Sequence, residues 1–124
     1  MKKILVVDDS ITITTILKSN LEGTGKFQVR VENRGALGAV AARQFQPDLA
    51  ILDVMMPDMG GPEVMSKIRE SRELRDLPVI FLTATVMKGE GSGSESLDRG
   101  YLFLAKPVTK EELVGTIESL IGSV

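Results

Sequence analysis

The 124-residue chain is 43% hydrophobic and 26% charged with a formal net charge of −2. That suffices for one domain with its own core, and gives no basic footprint for nucleic acid or an anionic membrane. Zero cysteine excludes disulfides and thiolate metal sites, and zero histidine removes the usual general base and a common metal ligand. Any catalysis must therefore run on carboxylates, lysine and hydroxyls, or on a bound hard cation.

The first apolar run, residues 4–7, reads as a strand buried on both faces. It sits in "MKKILVVDD", whose carboxylates stand where a signal peptide needs more apolar residues. No apolar run approaches membrane-spanning length, and a cytoplasmic location is expected. "SITITTIL" follows, alternating like a strand and rich in β-branched residues. Ile13, Ile16, Leu17, Asn20 and Leu21 nevertheless fall at helical spacing behind Ser10, a good N-cap, so the segment is read as a helix. After "EGTGK", residues 27–31 (FQVRV) alternate as a half-exposed edge strand. Leu37, Val40, Ala41, Gln44 and Phe45 mark a second helix, and residues 49–52 a third strand. Val64, Met65 and Ile68 mark a third helix, followed by a strand over 79–82. Residues 88–96 (KGEGSGSES) fall where the next helix belongs, and their glycines predict a short or mobile one. A fifth strand over 101–104 precedes the clearest helical stripe, Leu113, Val114, Ile117, Leu120 and Ile121. Strands alternating with helices predict an α/β domain with right-handed crossovers over residues 1–124.

The ends of the apolar strands share a feature. The first ends in Asp8 and Asp9, the third in Asp53, the fourth in Thr83 and the fifth in Lys106. Singly, each has an ordinary explanation. An Asp at a strand end is more often a cap or turn residue, Thr83 a β-former and Lys106 a solvated charge. Together they point to one pocket, because ligands of an open parallel sheet bind beyond the carboxyl ends of its strands. Three gathered carboxylates repel unless one is protonated or a cation sits among them. Oxygen donors without Cys or His favour Mg2+. With Lys106 and the Thr83 hydroxyl added, the set suits a phosphoryl group, with Asp53 as nucleophile and Asp8 and Asp9 holding the metal.

"VVDDS" (6–10), "LDVMMPDMGG" (52–61), "FLTA" (81–84) and "KP" (106–107) occur in an order and spacing that resembles the receiver domains of two-component response regulators, over essentially the whole chain. The resemblance implies a flavodoxin-like, doubly wound five-stranded parallel sheet, order 2-1-3-4-5, flanked by five helices. It implies Asp53 as phosphoacceptor, Asp9 as direct Mg2+ ligand, Asp8 as one acting more through water, and the Met55 backbone carbonyl as the remaining protein ligand. Thr83 and Lys106 would contact the phosphoryl oxygens, Phe103 would be the switch aromatic, and the bond before Pro107 would be cis. The implied partners are a histidine kinase or histidine phosphotransfer protein and a downstream target protein or output domain, with no direct nucleic acid or membrane. Self-catalysed phosphoryl transfer and slow autodephosphorylation are the only catalysis implied. Met56 and Met59 are read as packing residues of the turn.

"KGEGSGSESLDRGYL" departs from the alanine-rich helix and turn usual in that family. Three rivals remain at this point. A flavodoxin-like cofactor binder lacks a glycine in the loop after the first strand. A phosphohydrolase of the haloacid-dehalogenase kind needs D-x-D after its first strand, where this chain has adjacent aspartates. A degenerate receiver acting only as a binding module would not need all these site positions filled.

Overall fold

The computed structural model describes residues 1–84 and 100–122. Strands β1 (Lys2–Val7), β2 (Phe27–Glu32), β3 (Leu49–Asp53), β4 (Val79–Thr83) and β5 (Tyr101–Ala105) form one parallel sheet in the order β2-β1-β3-β4-β5. Among the described residues four α-helices flank it: α1 (Ile11–Glu22), α2 (Gly38–Phe45), α3 (Gly61–Ile68) and α4 (Lys110–Ile121). Short 3-10 turns at Gly35–Leu37 and Arg72–Leu74 complete the connections. The helix expected within residues 88–96 lies outside the described residues. No described helix is long and apolar enough to cross a membrane.

Strands β2, β3 and β4 each run one residue past the apolar stretch, to Glu32, Asp53 and Thr83, whereas β1 gains Lys2 and Lys3 at its start and β5 ends at Ala105. Alternate residues of β1 serve opposite layers. Ile4 and Val6 join α1 and α4 around Leu17, Leu21, Leu113 and Ile117, while Leu5 and Val7 join α2 and α3 around Ala41, Ala42, Val64 and Ile68. This double burial explains the unbroken apolar runs of the central strands. At the edges the pattern changes: Gln28 of β2 is exposed, and Tyr101 and Phe103 of β5 are half-buried.

The α1 segment is a helix despite its strand-like alternation. Ser10 Oγ accepts the Ile13 N–H at 3.2 Å, and Thr14, Leu17 and Leu21 form the buried stripe. Ile16 lies off that stripe and is 52% exposed. The hydrophobic stripe expected for α2 is also corrected. Leu37 and Val40 face outward, 44% and 43% exposed, while Gly38, Ala41 and Ala42 face inward. Close approach is the reason: a Cβ on Gly38 would stand 2.7 Å from Val64 Cγ1. Small residues seat α2 against α3 and β1, which displaces the larger aliphatics to the surface.

Tight packing also sets the start of α3. A Cβ on Gly61 would meet the Asp53 carbonyl oxygen at 2.5 Å and Phe81 Cδ1 at 3.2 Å. Gly115, on the exposed side of α4, has nothing within 4 Å of an added Cβ. Gly61→Ala should therefore destabilise the fold by about 1–3 kcal/mol through overpacking. Gly115→Ala should stabilise it by about 1 kcal/mol through helix propensity. Denaturant unfolding of both variants checks the contrast.

Candidate functional site

The parallel strands bring their polar termini to one edge of the sheet. Pairing continues past the apolar residues: Asp8 N–H donates to Glu32 O at 3.1 Å, Val54 N–H to Leu82 O at 3.0 Å, and Lys106 N–H to Thr83 O at 2.9 Å. Asp8 and Asp53 are buried, with 1% and 6% exposure, and Asp9 is exposed. One carboxylate oxygen from each of Asp8, Asp9 and Asp53 lies within 4.8 Å of the others.

Lys106 Nζ reaches into this group, 3.0 Å from Asp8 Oδ2 and 3.1 Å from Asp53 Oδ1. Its backbone N–H continues the β4–β5 pairing, and the Lys106–Pro107 bond that follows is cis. Burial pushes the Asp53 carboxyl above its ordinary 3.8; the Lys106 hydrogen bond opposes this, and the Asp8 charge adds to it. Burial alone would lower the Lys106 ammonium, but hydrogen bonds and charge from Asp8 and Asp53 outweigh it and hold Lys106 above its ordinary 10.5.

One ammonium does not balance three carboxylates. Asp8 Oδ1 accepts the Ser10 N–H at 2.9 Å, and the buried Asp8 Oδ2 has the Lys106 ammonium at 3.0 Å as its partner. An oxygen-only set of three carboxylates with a single ammonium among them fits a hard divalent cation. Helix capping does not account for these aspartates, because Ser10 supplies the side-chain cap of α1.

Thr83 ends β4, half-buried, one strand over from Asp53. Met55 lies in the loop after Asp53 with its side chain 81% exposed, while Met56 and Met59 pack into the α2–α3 layer. Phe103 packs among aromatic side chains. Its ring stacks on Phe81 at 5.1 Å and meets Tyr101 edge-on at 5.9 Å. Two polar residues around the site escaped the sequence reading. Asn33 hydrogen-bonds the backbone of Asp8, and Asp58 accepts two backbone N–H groups from the turn before α2. The Ala36 N–H foremost, with that of Gly35, holds the Asp58 carboxyl below its ordinary value. An Asn after an edge strand and an Asp in "PDMGG" look like turn residues, and only the fold supplies their distant partners.

The sequence matches the response regulator receiver domain family over residues 4–118. The polar-differentiation response regulator DivK of Brucella anthropi is 30% identical over 123 residues, covering 98% of this chain and 97% of that protein. Chemotaxis protein CheY4 of Vibrio cholerae superposes with a TM-score of 0.84 at 29% identity, over 97% of this chain and 98% of that one. The receiver domain of a Pseudomonas aeruginosa sensor histidine kinase, whose structure has a magnesium ion coordinated in the active-site cleft, superposes at 0.81 with 27% identity, covering 98% of both chains. With the strand order β2-β1-β3-β4-β5 and an aspartate cluster at the strand ends, these matches lead to one conclusion: the chain belongs to the response regulator receiver domain family.

Proposed function

We propose that Asp53 is the phosphoacceptor of this receiver domain, taking a phosphoryl group from a histidine kinase or histidine phosphotransfer protein. The carrying observation is the buried Asp53 carboxylate, hydrogen-bonded by Lys106 at 3.1 Å beside Asp8 and Asp9. An Asp53 oxygen forms the new bond to phosphorus as the P–N bond of the donor phosphohistidine breaks. The electron pair leaves on the imidazole nitrogen, which takes up a proton from solvent. The Lys106 ammonium and Thr83 hydroxyl bind the phosphoryl oxygens. Asp8, Asp9, Asp53 and the Met55 backbone carbonyl hold Mg2+, which when bound supplies further positive charge against those oxygens. Support for the cation comes from the unbalanced carboxylates and from the magnesium in the Pseudomonas receiver.

Phosphorylation adds roughly −1.5 to −2 charges to the pocket at neutral pH. Lys106 then exchanges its carboxylate partners for phosphoryl oxygens, Thr83 closes on them, and Phe103 repacks against Phe81 and Tyr101. That change controls a downstream target protein or an output domain. Water attack on the acyl phosphate resets the switch slowly, and this together with its own phosphorylation is the extent of the catalysis. The reading treats residues 1–124 as a single receiver domain working in the cytoplasm, in keeping with a cysteine-free composition.

Intact-mass spectrometry after incubation with a small phosphodonor and Mg2+ tests the assignment. One phosphoryl group is expected on the native chain and none on Asp53→Asn or with a chelator present. Uptake by a folded Asp53→Asn variant contradicts it. A second expectation follows from the charge of the metal-free pocket. A carboxyl raised in the folded state costs stability when ionised in both states, and that cost vanishes once it is protonated in both. Without divalent cations, Asp53→Asn should therefore unfold at a higher temperature than the native chain at neutral pH. The gap should close as pH falls through the raised Asp53 value toward 3.8. Calorimetric scans across that range check the sign.

A further inference from the structure

The turn between β2 and α2 grips both sides of the acidic pocket. Asn33 Nδ2 donates to the Asp8 carbonyl oxygen at 2.9 Å and to Thr14 Oγ1 at 3.0 Å. Thr14 is 1% exposed and donates in turn to Ile11 O at 3.1 Å, so its position is fixed by the first turn of α1. Asn33 thereby pins the Asp8–Asp9 turn to that helix. Two and three residues on, the Gly35 and Ala36 N–H groups donate to Asp58 Oδ1 at 3.1 Å and Oδ2 at 2.9 Å. Asp58 belongs to the loop that carries Met55 from Asp53 to α3. Gly35 presses on the same loop: a Cβ there would stand 2.8 Å from the Met59 carbonyl oxygen and 2.9 Å from Met59 Cβ. Beside these contacts a cleft of about 400 Å3 opens, lined by Asp9, Asn33, Arg34, Pro57 and Asp58 among others. Polar contacts span the two loops where side-chain packing gives way to solvent.

We propose that residues 33–36 form a strut setting the separation between the Asp8–Asp9 turn and the loop after Asp53, with Asn33 and Asp58 as positioning residues of the divalent-cation site. The inference rests on the reading that Asp8, Asp9, Asp53 and the Met55 carbonyl hold Mg2+. Neither Asn33 nor Asp58 is itself a ligand; each acts on a ligand-bearing segment through backbone groups. Mg2+ demands near-ideal octahedral geometry, so a small change in ligand separation costs affinity that a more adaptable cation would keep. Partners that orient metal ligands are commonly worth ~10–100-fold in metal affinity.

Calorimetric titration of Mg2+ into the full chain tests the strut, at high KCl concentration to screen the lost Asp58 charge. Each variant is held well below its own metal-free unfolding temperature. Asn33→Ala and Asp58→Ala should each weaken Mg2+ binding about 10-fold. Asp58→Asn, which keeps one acceptor oxygen, should fall between Asp58→Ala and the native chain. The double variant should lose less than the product of the single losses, because both cut one connection. Native Mg2+ affinity in folded Asn33→Ala and Asp58→Ala overturns the proposal, even if both unfold earlier. Independent, multiplicative losses contradict a shared strut. If Asn33→Ala does not fold, the two substitutions at the exposed Asp58 carry the test. A native chain that binds no Mg2+ refutes the site reading and the strut with it, whereas tight native binding abolished by Asp9→Asn leaves only the strut in question.

Discussion

The Lys106 ammonium, shared between Asp8 at 3.0 Å and Asp53 at 3.1 Å, is the contact on which the pocket depends. Parallel strands deliver their end groups to one edge of the sheet, and here they deliver three carboxylates. Taking an ion out of water costs several kcal/mol even after relaxation, and like charges add to that. Without the ammonium, the pocket could hold its carboxylates only by protonating one of them or by taking up another cation. Lys106 thus keeps acidic oxygens available at a site where burial opposes their charge. It does not complete the balance, since one ammonium stands among three carboxylates.

The two packed layers make that arrangement affordable. Ile4, Val6, Ile51 and Leu82 on one face, and Leu5, Val7, Leu52 and Phe81 on the other, are all at most 1% exposed. They lock the strands in register, so Asp53 has no freedom to withdraw from its neighbours. Gly61 tightens this further by bringing α3 onto the Asp53 carbonyl. The stability held in the core offsets a site that is electrostatically unfavourable when empty, which is the usual relation between a binding pocket and its scaffold.

The strands and the shared pocket at their ends were legible because they rest on the strongest signals, unbroken apolar runs and a polar residue ending each of four of them, while the strand order came from the family resemblance. Helix faces were less so. Around α2, Leu37 and Val40 of the expected stripe are exposed while its Ala41 is buried, and the close approach of Val64 places Gly38 inward. In α1 the alternation of "ITITT" competed with the Ser10 cap and the Leu17–Leu21 pair, and tertiary burial settled the matter for the helix. Asn33 and Asp58 were illegible for a different reason. Their partners lie 25 and 22 to 23 residues away in sequence, so no local pattern reports them. Residues 88–96, where glycine made the sequence reading least regular, fall outside the described residues.

In the proposed function, phosphoryl chemistry and conformational switching meet in one exchange: Lys106 leaves carboxylate oxygens for phosphoryl oxygens while Thr83 and the Phe81–Tyr101–Phe103 group on β4 and β5 adjust. This exchange requires that the phosphoryl group sit on Asp53 itself. The most direct measurement is borohydride reduction of the phosphorylated native chain followed by peptide mass spectrometry, which converts an acyl phosphate side chain into an alcohol and marks its position. The account predicts the reduced residue at position 53 alone. A mark at Asp8 or Asp9, with Asp53 unmodified, would contradict it.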